Sequence, residues 1–215
     1  MAQLRIYVPP HPLIKHWLAV ARDASTPSPL FRTAMKELGR WLSYEAIREW
    51  LPVEDTVVQT PLDTCAATMV NPEVPIVVLP ILRAGLALLE GVQEVVPLAS
   101  IHHLGMVRNE ENLDASCYLN NLPERFPPET RLLICEPMLA TGGTIMQTME
   151  LLVQRGIDPA RVRILSVVAA PPALQKLSQA YPTLVLYSAG LDETLNEQGY
   201  IVPGLGDAGD RAFGT

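Results

Sequence analysis

The stretch RLLICEPMLATGGTIMQTMELLVQRG, Arg131 to Gly156, decides the fold. Its apolar opening, Leu132-Leu133-Ile134-Cys135, is too short for a helix and suits a buried strand. Glu136 stands where that run ends. Pro137 has no N–H for a ladder and stops the strand. Ala140-Thr141-Gly142-Gly143-Thr144 is a small, hydroxylated loop. Beyond it Ile145, Met149 and Leu152 fall near helical spacing, and Gly156 reads as the C-terminal cap. Strand, acidic edge, Thr-Gly-Gly-Thr loop and helix start together make a phosphate cradle. First-turn N–H groups face the ligand, and the helix dipole favours an anion there. An ordinary strand-to-helix turn, with glycines for tightness, is the alternative reading of the same residues.

Working outward, residues 75–97 repeat this organisation. Ile76-Val77-Val78-Leu79 reads as a buried strand, Pro80 to Gly85 as a turn and Leu86 to Val96 as a helix. Arg83 falls at the strand's C-terminal edge, where open α/β sheets bind ligands, beside small residues that allow close backbone approach. Leu98–Val107 reads as a further strand, with His102 and His103 on opposite faces and so unable to chelate one metal together. On the other side of the cradle, Arg161–Ala170 and Leu184–Ala189 read as strands around a helix at Pro172–Ala180. This alternation over 75–190 predicts an α/β fold with a mainly parallel sheet flanked by helices.

The flanks are less regular. Leu4–Val8 is a short apolar patch. Helices are predicted over Pro12–Arg22 and over residues 30–51, the latter with Phe31, Met35, Leu38, Trp41 and Leu42 on one face. His11 and His16, close to prolines, read as surface or capping groups. Trp41 and Trp50 read as core or subunit-interface residues. Residues 52–74 read as an outlying hairpin. Residues 108–130 lack periodicity, contain Pro123, Pro127 and Pro128, and have the length of a lid or binding arm. The tail holds Gly204-x-Gly206-x-x-Gly209. That spacing matches a dinucleotide fingerprint but opens no βαβ unit, with only six residues after Gly209, so a dehydrogenase is disfavoured. The tail instead offers a glycine-rich backbone surface with an embedded acid, able to press against a flat ligand.

Bulk properties bound the function. A length of 215 residues fits one domain with a proper core. A net charge of −7 disfavours nucleic acid held by overall electrostatics. Three well-separated cysteines, Cys65, Cys117 and Cys135, form no CxxC or zinc pattern and read as free thiols in a reducing compartment. The N-terminus lacks a signal-peptide pattern and no apolar run reaches membrane-spanning length, so cytoplasm is the expected location and no membrane partner is expected.

Three motifs in order, PILRAGL (80–86), EPMLATGGT (136–144) and YIVPGLGDAGD (200–210), resemble the uracil phosphoribosyltransferases, members of the type I phosphoribosyltransferase family. The resemblance covers about residues 8–215 and extends to PHPLIKHWL near the N-terminus. It implies one domain, with a core at about 75–190, an N-terminal helical extension at about 1–51, a small hood, a protruding arm, and a uracil-binding tail at about 200–215. It implies pyrimidine salvage: uracil and 5-phosphoribosyl 1-diphosphate (PRPP) give UMP and diphosphate. Arg83 and Arg108 would bind diphosphate. Glu136, Pro137, Met138, Leu139, Ala140, Thr141, Gly142, Gly143 and Thr144 would hold the ribose phosphate. Ile201, Gly206 and Ala208 would recognise uracil through their backbone, and Asp207 would lie between base and diphosphate. Glu136, Arg83, Arg108 and Asp207 are the implied catalytic set. Mg²⁺ would arrive on PRPP, with no direct protein ligand expected, and GTP is an implied allosteric activator. A homodimer or higher homo-oligomer is implied. Three positions depart from the family pattern: Glu136 replaces the usual Asp, Thr144 the usual Ser, and Asn121 a frequent Lys. The competing classes are a phosphoribosyltransferase-like nucleotide sensor or RNA-binding regulator, and a purine or orotate enzyme.

Overall fold

Alternating buried and turn-forming runs produce a layered α/β architecture. The computed structural model describes residues 3–108 and 115–215, with the side chain of Arg108 outside the description. In chain order the elements are β1 (Arg5–Tyr7), α1 (Pro12–Arg22), α2 (Ser28–Ile47), β2 (Val53–Gln59), β3 (Thr64–Val70), β4 (Ile76–Leu82), α3 (Leu86–Val95), β5 (Ser100–Ile101) and β6 (Leu104–Arg108). They continue as β7 (Ala115–Asn120), β8 (Arg131–Cys135), β9 (Met138–Leu139), α4 (Gly143–Gln154), β10 (Val162–Ala169), α5 (Pro171–Ala180), β11 (Val185–Leu191), β12 (Thr194–Leu195), β13 (Ile201–Val202) and α6 (Ala208–Phe213).

The main sheet runs β1-β11-β10-β8-β4-β6-β7, with β5 beside β4 and β9 beside β10. Its pairings are parallel apart from the antiparallel β6–β7 edge. The period of two in each strand sorts the core into two layers. Leu133 and Cys135 of β8 pack with Phe31, Met35 and Leu38 of α2 and Leu88 of α3. Leu132 and Ile134 pack on the other face with Ile145, Met149 and Leu152 of α4 and Leu177 of α5. Helices α2 and α3 approach closely enough that a Cβ on Gly91 would meet the Lys36 carbonyl oxygen at 1.9 Å.

Several expectations change in detail. The N-terminal extension is not wholly helical, because β1 joins the sheet edge beside β11. Helix α2 starts at Ser28 and ends at Ile47 rather than spanning 30–51. Pro52 disfavours helix at the residue before it. Trp50 instead turns inward, 4% exposed, donating its indole N–H to the Arg161 carbonyl at 3.3 Å. The predicted strand 98–107 is two strands, interrupted at His102-His103, where the His102 ring nitrogen meets the Asn121 carbonyl at 3.1 Å. The segment 108–130 contains β7, paired to β6, where no strand was predicted. The hairpin β2–β3 does form, as a separate two-stranded sheet with both strands largely exposed. His11 caps α1, its ring Nδ1 accepting from the Leu13 N–H at 3.1 Å.

Candidate active site

The site begins with two parallel strands brought to one edge. Pairing of β4 with β8 sets Pro80 opposite Cys135, so the turn after β4 lies beside Glu136. Gly85 makes that approach possible: a Cβ there would meet the Cys135 carbonyl oxygen at 2.4 Å and the Ile81 backbone at 2.6 Å. The Leu82–Arg83 peptide is cis.

The phosphate loop follows β8. Gly142 adopts φ +85° as the N-cap of α4, and among the described residues no side chain caps the helix. Its first-turn N–H groups have no intrahelical acceptors and remain available to a ligand. The other end of α4 is closed by its own backbone. The Ile157 N–H bonds to the Leu152 carbonyl at 3.0 Å and the Gly156 N–H to that of Val153 at 3.0 Å. With Gly156 at φ +88°, this is the Schellman cap expected from the glycine.

A cavity of about 250 Å³ opens at this edge. Arg83, Glu136, Met138, Leu139, Ala140, Thr141, Gly142, Gly143 and Thr144 line it, with Ile201 and Asp207 from the tail. Residues 80 to 86, 136 to 144 and 200 to 210 therefore converge on one space, although they are far apart in sequence. Pro137, Gly206 and Ala208 are not among the lining residues. The Pro137 carbonyl is engaged behind the site, accepting from the N–H groups of Val167 and Val168 at 2.8 and 3.0 Å. Ala208 is fully buried as the first residue of α6, and Gly206 is exposed with φ +76°. Arg108 ends β6, but its side chain lies outside the described residues.

The lining also includes residues the sequence reading did not assign. Ile81, Leu82 and Ala84 flank Arg83, while Gly199, Tyr200 and Gly209 flank the tail contacts. Their neighbours within the motifs were the available signal. Met106 and Ile145 also face the cavity. Nothing local distinguishes Met106 from other apolar strand residues.

Charge is arranged unevenly. Glu136 is 8% exposed, and burial pushes its carboxyl up to about 8, against a modest opposing effect of the Met138 N–H at 3.4 Å. No described Lys or Arg forms an ion pair with it. Next to it, burial pushes the Cys135 thiol up to about 12. Arg83 is half exposed and pairs with Asp210 at 2.7 Å, also donating to the Thr215 hydroxyl at 3.2 Å. Asp207 caps α6, accepting from the Asp210 N–H at 2.9 Å. The short helix in the tail, unforeseen from its glycines, is thus what carries Asp210 to Arg83.

The family model for uracil phosphoribosyltransferase matches residues 8–215. The chain belongs to the uracil phosphoribosyltransferase family. Its activity is that of the family, a phosphoribosyl transfer in pyrimidine salvage. A uracil phosphoribosyltransferase of Nostoc sp. strain PCC 7120 is 72% identical over 99% of each chain. A chloroplastic uracil phosphoribosyltransferase of Arabidopsis thaliana is 50% identical over 99% of this chain and 72% of its own length. Among solved structures, the AQ2163 protein of Aquifex aeolicus superposes with a TM-score of 0.89 at 39% identity, covering 97% of both chains. An adenine phosphoribosyltransferase from Giardia lamblia, bound to 9-deazaadenine, has a TM-score of 0.52 at 14% identity over 74% of this chain and 80% of its own, a likeness of fold alone. Among the described residues no helix is long and apolar enough to cross a membrane.

Proposed function

We propose that the cavity divides the uracil phosphoribosyltransferase reaction among three chain segments. The observation that carries this is the convergence of the β4 turn, the α4 loop and the tail on one space at the C-terminal ends of the parallel strands. Thr141–Thr144 hold the 5-phosphate of PRPP through backbone N–H and hydroxyl groups. Glu136 takes the ribose hydroxyls. Arg83 and Arg108 take the diphosphate, and the backbone of Ile201 reads the edge of uracil, with Gly206 and Ala208 assigned beside it on the family resemblance.

The chemistry suits these groups. The bond from ribose C1 to the diphosphate oxygen breaks, a bond from C1 to N1 of uracil forms, and the N1 proton leaves to the departing diphosphate or to solvent. Positive charge develops on the ribose and negative charge on the leaving diphosphate. An arginine fork at the diphosphate stabilises the latter, and positioning supplies much of the remaining rate. Arg83 must exchange Asp210 for phosphate oxygens when PRPP arrives. Glu136 enters the reaction largely protonated near neutral pH, so it can both donate to and accept from a ribose hydroxyl. Asp207 stays beside base and diphosphate, with no general-base role assigned.

Mg²⁺ fits this donor set. Among the described residues the acidic side chains lining the cavity are Glu136 and Asp207, of which Asp207 offers a hard carboxylate donor, and no Cys or His lines it. Held mainly by PRPP oxygens, with Asp207 the nearest protein candidate, the ion would neutralise charge on the diphosphate. GTP is assigned as an activator on the family resemblance alone, and its addition to the assay tests that role. A homodimer or higher assembly is supported by the hairpin β2–β3, which exposes Val53, Val57, Met69 and Val70. A free two-stranded hairpin is marginal in water. The location assigned is cytoplasmic.

Incubation with PRPP, Mg²⁺ and a panel of labelled uracil, hypoxanthine, adenine and orotate tests the substrate. UMP alone is the expected product. A purine or orotate nucleotide would overturn the base assignment, and nucleotide binding without any product would favour a sensor.

A further inference from the structure

The tail that carries the base site is held from behind by a part-buried ion pair. Asp192 follows β11, its backbone N–H bonded to the Ala169 carbonyl at 2.9 Å, and is 7% exposed. Its carboxylate receives both ends of the Arg22 guanidinium, at 2.9 and 2.6 Å. The same two side chains grip one residue of the tail. Asp192 Oδ2 accepts the Gly204 N–H at 3.0 Å, and Arg22 donates to the Gly204 carbonyl at 2.8 Å. Arg22 and Leu18 pack close over Gly190, where a Cβ would meet the Leu18 Cδ2 at 3.1 Å and the Arg22 Nη2 at 3.2 Å.

Gly204 is where this grip matters most for the site. It sits at φ +58°, just after the cis peptide Val202–Pro203. The turn is wound so tightly that a Cβ on Gly204 would meet the Ile201 carbonyl oxygen at 2.0 Å. Fixing both polar groups of Gly204 therefore fixes the backbone of Ile201, which lines the cavity. A second arginine fastens the following segment to the same helix end. Arg211 donates to the carbonyls of Leu205 at 2.8 Å and Asp23 at 2.6 Å, and also to that of Ala21, with its guanidinium over the Phe31 ring.

We propose that Arg22 and Asp192 are positioning residues for pyrimidine recognition: by clamping the Gly204 backbone they set the main-chain edge at Ile201 that reads uracil. The inference rests on the assignment of the tail as the base site. Asp192→Asn is a near-isosteric probe. Whichever way its amide turns, its NH₂ faces a donor on Arg22 or Gly204. Arg22→Lys keeps the charge but loses the fork that spans carboxylate and carbonyl.

The test is steady-state kinetics of the full chain, varying uracil and PRPP separately, with thermal unfolding of each variant alongside. Gly206→Val serves as a direct strike on the tail, since it forces a β-branched side chain onto φ +76°, with its Cβ 3.5 Å from the Arg211 Cδ. Both clamp variants are expected to raise KM for uracil about tenfold to a hundredfold, the equivalent of one charge-assisted hydrogen bond. KM for PRPP and kcat should stay within about threefold of the parent, which a merely structural weakening would not single out. If Asp192→Asn does not fold, Arg22→Lys alone decides the matter. An unchanged KM for uracil in the clamp variants, with Gly206→Val raising it, overturns the clamp and leaves the base site standing. An unchanged KM for uracil in all three overturns the base-site assignment and the clamp with it.

Discussion

Replacing Glu136 by Gln should make the protein more stable above neutral pH. The wild-type carboxyl sits buried at the end of β8, where desolvation pushes it up to about 8 from an ordinary 4.5. The folded state therefore binds a proton that the unfolded state has released between those two values. The stabilisation linked to that proton is complete below the unfolded value and is lost as pH rises through about 8. The window corresponds to on the order of a few kcal/mol at its upper end. Gln keeps the shape and cannot ionise. Urea unfolding of both proteins at pH 5, 7 and 9 isolates this group, because every other titration cancels in the difference. A difference of no more than about 1 kcal/mol at pH 5, widening to a Gln variant more stable by a few kcal/mol at pH 9, is expected. KM for PRPP should also lose an inflection near 8 in the variant. Parallel stability curves across the whole range would refute the reasoning, since Glu136 would then titrate as a solvated carboxylate.

Three further outcomes follow from the same geometry. Glu136→Asp, restoring the shorter acid of the family pattern, should leave activity intact, and loss of PRPP binding in that variant would refute the assigned role of Glu136. Gly142→Ala should cost about 1–2 kcal/mol from the left-handed backbone alone. Its Cβ would also sit 3.0 Å from the Ala173 Cα, so both a lower Tm and a higher KM for PRPP should be measured. Of the three thiols, Cys65 and Cys117 are exposed and Cys135 is buried. A chromogenic disulfide reagent should therefore leave Cys135 unlabelled in the native protein and titrate all three thiols in urea, and fast labelling of Cys135 would contradict its burial.

Much of the architecture was legible because local and tertiary signals agree. Leu132–Cys135 reads as a strand and is one, because its apolar run is covered on both faces. His11 beside Pro12 and Gly156 after α4 mark helix ends through groups that act within a few residues. The rest depended on distant partners. Trp50 leaves the helical pattern because a carbonyl near β10 receives its N–H. Strand β7 has weak periodicity of its own and forms against β6. Helix α6 hides in a glycine-rich tail, and its Asp207 cap is the feature that marks it.

The same division holds at the site. Arg83 and Glu136 were legible as residues at strand ends. The pairing of Arg83 with Asp210 and the burial of Glu136 are products of the fold. So is the clamp of Arg22 on Asp192, joining residues 170 positions apart.

The most direct test of the three-part site is a crystal structure of the protein with UMP, diphosphate and Mg²⁺. The 5-phosphate is expected against Thr141–Thr144, the ribose hydroxyls at Glu136, uracil on the backbone of Ile201 and its tail, and diphosphate on Arg83 in place of Asp210. A phosphate bound away from the α4 loop, or a base seated away from the tail, would contradict the three-part site.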